Sequence, residues 1–185
     1  MSAKLLKRLF TVEEYERMVQ ANILTAAERV ELLNGEIVEM SPIGTRHAAC
    51  VKRLNQLFSQ ILNGRALVGV QDPIRLSDSS QPQPDLTLLQ PRSDFYATAH
   101  PQPQDVLLIV EVADASADYD RQVKIPLYAQ AGIIEVWLVN LAEQYIEVYR
   151  QPSVNGYQQI QQLYCNQQIF IQVPELEISI NDILG

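Results

Sequence analysis

The stretch Asp105-Val-Leu-Leu-Ile-Val-Glu-Val112 constrains the fold of this 185-residue chain more than any other. Its apolar residues run almost without interruption and several are β-branched, which fits a strand covered on both faces rather than one with a wet side. Such a strand belongs at the centre of a sheet, with other layers above and below it. The sequence supplies one layer directly. Across residues 45–63, Ala48, Val51, Leu54, Phe58 and Ile61 recur at steps of three and four, so a long amphipathic helix is expected to cover the sheet and to stop at Asn63-Gly64.

Local signals place the remaining elements. Phe10-Thr-Val-Glu-Glu-Tyr15 has the form of a capping box, with Thr11 as cap, Glu14 reaching back, and Phe10 and Tyr15 as a staple, opening a short helix to about Gln20. Residues 30–33 and 36–40 are strand-like and flank Asn34-Gly35, the dipeptide best suited to two positive φ angles, which predicts a hairpin. Residues 66–70, 74–76 and 85–89 read as short strands separated by Pro73, Pro82 and Pro84, and residues 90–104, with three prolines, as an exposed loop. A helix over 119–131, kinked or delayed by Pro126 and stopped by Gly132, precedes strands at 134–139 and 145–149; residues 157–164 and 169–180 read as further edge strands. The expected fold class is α/β: a mixed central sheet flanked by helices, with an N-terminal β-hairpin and extra C-terminal strands. With no repeat or linker in view, residues 1–185 are expected to form a single domain.

Composition removes several function classes. The longest apolar run, residues 106–110, falls far short of the roughly 18 residues of a membrane span. The opening MSAKLLKRLF lacks the apolar core and cleavage site of a signal peptide, so a cytoplasmic location is expected. Cys50 and Cys165 have no metal-ligand spacing and are expected as free, buried thiols. A net charge of −8 argues against a simple basic-patch nucleic-acid binder, but not against a nuclease whose positive charge arrives as metal.

Two acids stand where acids are costly. Asp85 opens an apolar strand and Glu111 lies near the end of the central one. If the strands are antiparallel neighbours, a register opposing Leu89 to Leu107 also opposes Asp85 to Glu111, within reach of one cation, and hard oxygen ligands suit Mg²⁺ or Mn²⁺. Each residue also has a plainer reading. Asp85 can simply begin a strand, Glu111 can pair with Lys124 or Arg121, Glu31 can be a solvated strand residue, and His47, which could orient a nucleophile or contact phosphate at a helix N-terminus, can equally be a partly exposed helix residue. Trp137, Tyr128 and Tyr149 read most simply as packing.

Pro84-Asp85 followed by Glu111-Val112-Ala113 resembles the PD-(D/E)xK signature of restriction-endonuclease-like nucleases. With FTVEEYERM, VELLNGEIVEMSPIGTRHA and YDRQVKIPLYAQAGIIEVWLVN, the chain is similar over most of residues 8–150 to the Uma-type endonuclease family of that superfamily. The resemblance implies a restriction-endonuclease-like core and a metal-dependent phosphodiesterase acting on nucleic acid, DNA by preference. In it Asp85 and Glu111 hold Mg²⁺ (or Mn²⁺), the Val112 carbonyl adds a ligand, and Glu31 contributes from the hairpin. The lysine expected two residues after Glu111 is Ala113, and Lys124 on the following helix is the candidate replacement. His47 completes the candidate catalytic set. A homodimer is expected because cutting two antiparallel strands favours two-fold symmetry. The alternatives are an idle nuclease fold that binds nucleic acid or a protein partner, and a scaffold whose Glu111 and Lys124 only pair with each other.

Overall fold

The computed structural model describes residues 6–25 and 27–185; the first half of the MSAKLLKRLF segment lies outside them. The central sheet has six strands in the order β3-β4-β5-β6-β7-β8. They are β3 (Leu67–Val70), β4 (Leu86–Leu89), β5 (Val106–Ala113), β6 (Glu135–Asn140), β7 (Tyr145–Ser153) and β8 (Gly156–Tyr164). β5 and β6 run parallel and all other neighbours antiparallel, so the sheet is mixed. Every residue of β5 is buried, as an unalternating apolar strand requires.

Helix α2 (Thr45–Ile61) lies on one face, where Leu54 and Phe58 join Val110, Val112 and Trp137 in a core. On the other face, α4 (Ile125–Gln130) brings Ile125 and Tyr128 against Ile109, Ala113 and Val136. Helix α1 (Val12–Gln20) begins with the expected capping box at Thr11 and Glu14. It packs through Val12 and Tyr15 on Leu32 of the hairpin β1 (Val30–Leu33) and β2 (Glu36–Glu39). At the turn, Asn34 and Gly35 have φ of 49° and 79°. A Cβ on Gly35 would stand 2.7 Å from that of Leu9, so glycine is required by both conformation and space.

The structure corrects several expectations. Residues 74–76 form no strand: their amides go to loop carbonyls, Ile74 to that of Pro82, Arg75 to that of Pro101 and Leu76 to that of Ser80. The surrounding prolines remove ladder donors, yet Ile74 and Leu76 still reach the core. Residues 169–180 add no edge to the central sheet. They form a separate two-stranded sheet, β9 (Gln168–Ile171) with β10 (Leu176–Ser179), whose isoleucines pack into the α2-side core, followed by α5 (Ile180–Leu184). Cys50 is buried, but Cys165, beyond the end of β8, is exposed.

The helix expected over 119–131 is divided into α3 (Ala117–Tyr119), a π-helical turn (Asp120–Lys124) and α4. Pro126 cannot donate to the carbonyl of residue 122, so the ladder must break there. The wider turn absorbs the break, with the Ile125 amide bonding back to the Asp120 carbonyl. This turn carries both Asp120 and Lys124, and both are buried.

Candidate functional site

β4 and β5 pair antiparallel with Leu86 opposite Val110, Thr87 opposite Ile109 and Leu88 opposite Leu108. One step further, the same register sets Asp85 against Glu111. At the other end a bulge shifts the pairing, so Leu89 meets Val106 and not Leu107 as expected. The deviation lies away from the acids and leaves their juxtaposition unchanged.

Asp85 is enclosed by donors. Its Oδ2 lies 2.9 Å from Nε2 of His47 and accepts the Val112 amide at 2.9 Å, while Oδ1 accepts Gln71 at 3.2 Å. Burial pushes its carboxyl up, but the His47 hydrogen bond and charge, with the Val112 amide and Gln71, outweigh burial and hold it below the usual aspartate range. His47 is raised in turn, chiefly by the hydrogen bond to Asp85 and against the effect of burial.

Glu111 is 2% exposed. Its Oε1 accepts the Tyr128 hydroxyl at 2.5 Å and lies 3.3 Å from Nζ of Lys124. The same amine is 3.3 Å from Oε2 of Glu31, which also accepts the Gln83 amide at 3.1 Å. Burial would lower Lys124, but Glu111, Glu31, Asp120 and Asp85 together raise it, so the ammonium stays charged. Asp120, whose Oδ2 accepts the Ser116 hydroxyl at 2.9 Å, is raised by burial. Glu31, His47, Asp85, Glu111, Asp120 and Lys124 all line one cleft of about 550 Å³, with Arg29 also among its walls.

A family model, Uma2, described as "Putative restriction endonuclease", matches residues 12–181. The chain belongs to the Uma2 family. Among solved structures, this Uma2 chain is similar to a "putative nuclease belonging to DUF820" from Anabaena variabilis ATCC 29413. The two share 16% sequence identity over 95% of this chain and 97% of that one, with a TM-score of 0.77, a likeness of fold. No curated protein matches the chain.

All five side chains singled out from the sequence of this Uma2 chain meet in the cleft, and Val112 lines it too. Glu31 is not the solvated residue that strand alternation suggests: at 2% exposure it is tied in by the Gln83 amide and Lys124. Lys124, rather than Arg121, is the partner of Glu111; Arg121 makes a bidentate pair with Glu147. Sequence reasoning missed Tyr128 and Asp120. Tyr128 does pack in the core, but its hydroxyl also orients Glu111. The available signal was a tyrosine four residues beyond Lys124, one helical turn on.

The donor chemistry fits a hard divalent cation, since carboxylates from β1, β5 and the residue before β4 face one cleft. Burial, assisted by Asp85, makes ionised Glu111 costly in a way such a cation would relieve. As they stand, the described residues contain no group of three or more His, Cys, Asp or Glu side chains placed to hold a metal ion. Proton donors and the Lys124 amine occupy the carboxylates instead.

A pH dependence follows from Glu111, which burial pushes up from 4.5 to about 8, with Asp85 and Asp120 adding to the rise and Lys124 and Tyr128 opposing it. A carboxyl raised on folding contributes stability below its unfolded value and loses it as pH climbs through the folded one. Urea unfolding in EDTA is therefore expected to show stability falling by on the order of a few kcal/mol between about pH 4.5 and 8. Glu111→Gln should flatten this slope. An unchanged slope in that variant would assign it to another group.

Proposed function

We propose that this chain is a metal-dependent nuclease that hydrolyses phosphodiester bonds in DNA. In this reading Mg²⁺ or Mn²⁺ is held by Asp85, Glu111 and the Val112 carbonyl within one domain spanning residues 1–185, acting in the cytoplasm as a two-fold dimer. One observation carries the reading: Asp85 and Glu111 stand opposite each other at adjoining strand ends, with the Lys124 amine 3.3 Å from Glu111.

The cation would supply a bound water of lowered pKa and neutralise charge on the scissile phosphate. Everything else is done by the chain's own groups. His47 and the Val112 amide fix the direction of Asp85, and the Tyr128 hydroxyl fixes Glu111. Lys124 holds a positive charge beside the place where negative charge develops in the transition state. Ala113 cannot serve, because its methyl group carries neither charge nor proton; it belongs instead to the core with Ile109, Tyr128 and Val136. The second reading, an idle nuclease fold that binds nucleic acid or a protein, draws on the completeness of the Glu31–Lys124–Glu111 pairing without any added ion.

Incubating purified protein with plasmid, single-stranded DNA and RNA, in Mg²⁺, Mn²⁺ or EDTA, separates the two readings. Cation-dependent DNA cleavage is expected. Absence of turnover on every substrate in both metals would leave the idle fold.

A further inference from the structure

Lys124 brings its charge into the carboxylate cluster on a side chain only 7% exposed. Its amine lies 3.3 Å from one oxygen of Glu31 and 3.3 Å from one of Glu111. Both separations exceed the roughly 2.7–2.9 Å of a charge-assisted hydrogen bond. The amine thus bridges two carboxylates as a point charge rather than docking on either.

Those carboxylates do not depend on the lysine for their positions. The Glu31 oxygen also accepts the Gln83 amide, and the Glu111 oxygen also accepts the buried Tyr128 hydroxyl. A seat for a cation between β1 and β5 is therefore built from groups fixed by other contacts, and Lys124 sits in it.

We infer that the Lys124 ammonium is the resident counter-cation of this seat and that a divalent cation held by Asp85 and Glu111 binds only by expelling it from the Glu111 carboxylate. This rests on the metal-dependent reading above and extends it. Two positive charges within about 4 Å repel strongly where water is scarce, whereas the flexible four-carbon stem lets the amine swing out into the cleft. Lys124 thereby holds the metal-free protein together and holds down its metal affinity. Its amine is released toward a substrate only once the metal is seated.

The test is calorimetric titration of EDTA-stripped full-length protein with MnCl₂, comparing wild type with Lys124→Met. The variant is expected to bind Mn²⁺ with a Kd roughly tenfold lower. It should also melt below wild type in EDTA and gain more from saturating Mn²⁺. Equal or weaker binding by the variant overturns the exchange while leaving the metal-dependent reading standing; no uptake by either protein overturns both. Wild type carries an independent measurement should Lys124→Met not fold. In ¹⁵N-lysine NMR, a shielded ammonium resonance in EDTA, assigned to Lys124, is expected to disappear or shift on saturation with Mg²⁺. A resonance unmoved at saturation overturns the inference.

Discussion

Asp85→Asn is expected to lower cation-dependent DNA cleavage by on the order of 10³-fold or more while leaving the fold intact. The asparagine carbonyl can still accept the Val112 amide, and its size still fills the space between His47 and Gln71. The lost quantity is the anionic oxygen opposite Glu111. Asp85→Ala should be equally inactive but less well folded, because it strands the Val112 amide, a buried donor whose lost acceptor costs about 1–3 kcal/mol. Removing one of two facing carboxylates also relieves Glu111, which Asp85 raises, so part of that cost is offset in metal-free protein. Plasmid nicking beside a thermal melt checks both effects. An Asp85→Asn protein that cuts as fast as wild type would remove Asp85 from the chemistry and with it the proposed site.

Arg150→Met is expected to destabilise the fold strongly although it lies outside the cleft. Glu135, at the start of β6 and 1% exposed, accepts the Arg150 guanidinium at 2.8 Å and the Trp137 indole at 2.8 Å. Arg150 also donates to the Phe170 carbonyl, joining β7 to β9. Methionine matches much of the arginine stem but leaves Glu135 as a buried carboxylate without its cation, which costs about 3–5 kcal/mol. For a chain of this length that corresponds to a fall in Tm of roughly 10 °C. Adding Glu135→Gln removes the stranded charge while keeping an acceptor for Trp137, so the double variant should recover much of the loss. Urea denaturation of the two proteins measures this, and an Arg150→Met loss under about 1 kcal/mol would mean that water reaches Glu135.

The pattern of residues along the chain determined what depends on neighbours in sequence or on one strand pairing. The Thr11–Glu14 box is built from groups three residues apart, and the Asn34-Gly35 turn from two adjacent positive φ angles. The buried character of β5 was legible because a strand wetted on one face would have to alternate. The facing of Asp85 and Glu111 was also within reach, since antiparallel pairing across one loop leaves few registers and the bulge at Leu89 falls beyond the acids. Residues resembling a known motif supplied Glu31 and Lys124 as candidates, and the start of a helix supplied His47; a partner for Glu111 was narrowed to Lys124 or Arg121, but the other contacts of these residues were not legible.

Only the tertiary structure decided those contacts. Glu31 is buried because residues 81–83 pass over the hairpin, with Gln81 bridging to Leu32 and the Gln83 amide reaching the carboxylate. No alternation rule within β1 contains that information. The side chains of Lys124 and Asp120 line one cleft, and the buried Tyr128 hydroxyl meets Glu111 there, through a π turn before a proline, a geometry that helical periodicity at 3.6 residues per turn does not describe. The segment at 74–76 looked like a strand because its apolar alternation reflects burial, and burial does not require a ladder partner. Local pattern is fixed by short-range sterics and hydrogen bonding. Which distant carboxylate meets which amine is fixed only when layers built from residues 31, 83, 111 and 124 close on one another and exclude the water that would otherwise separate them.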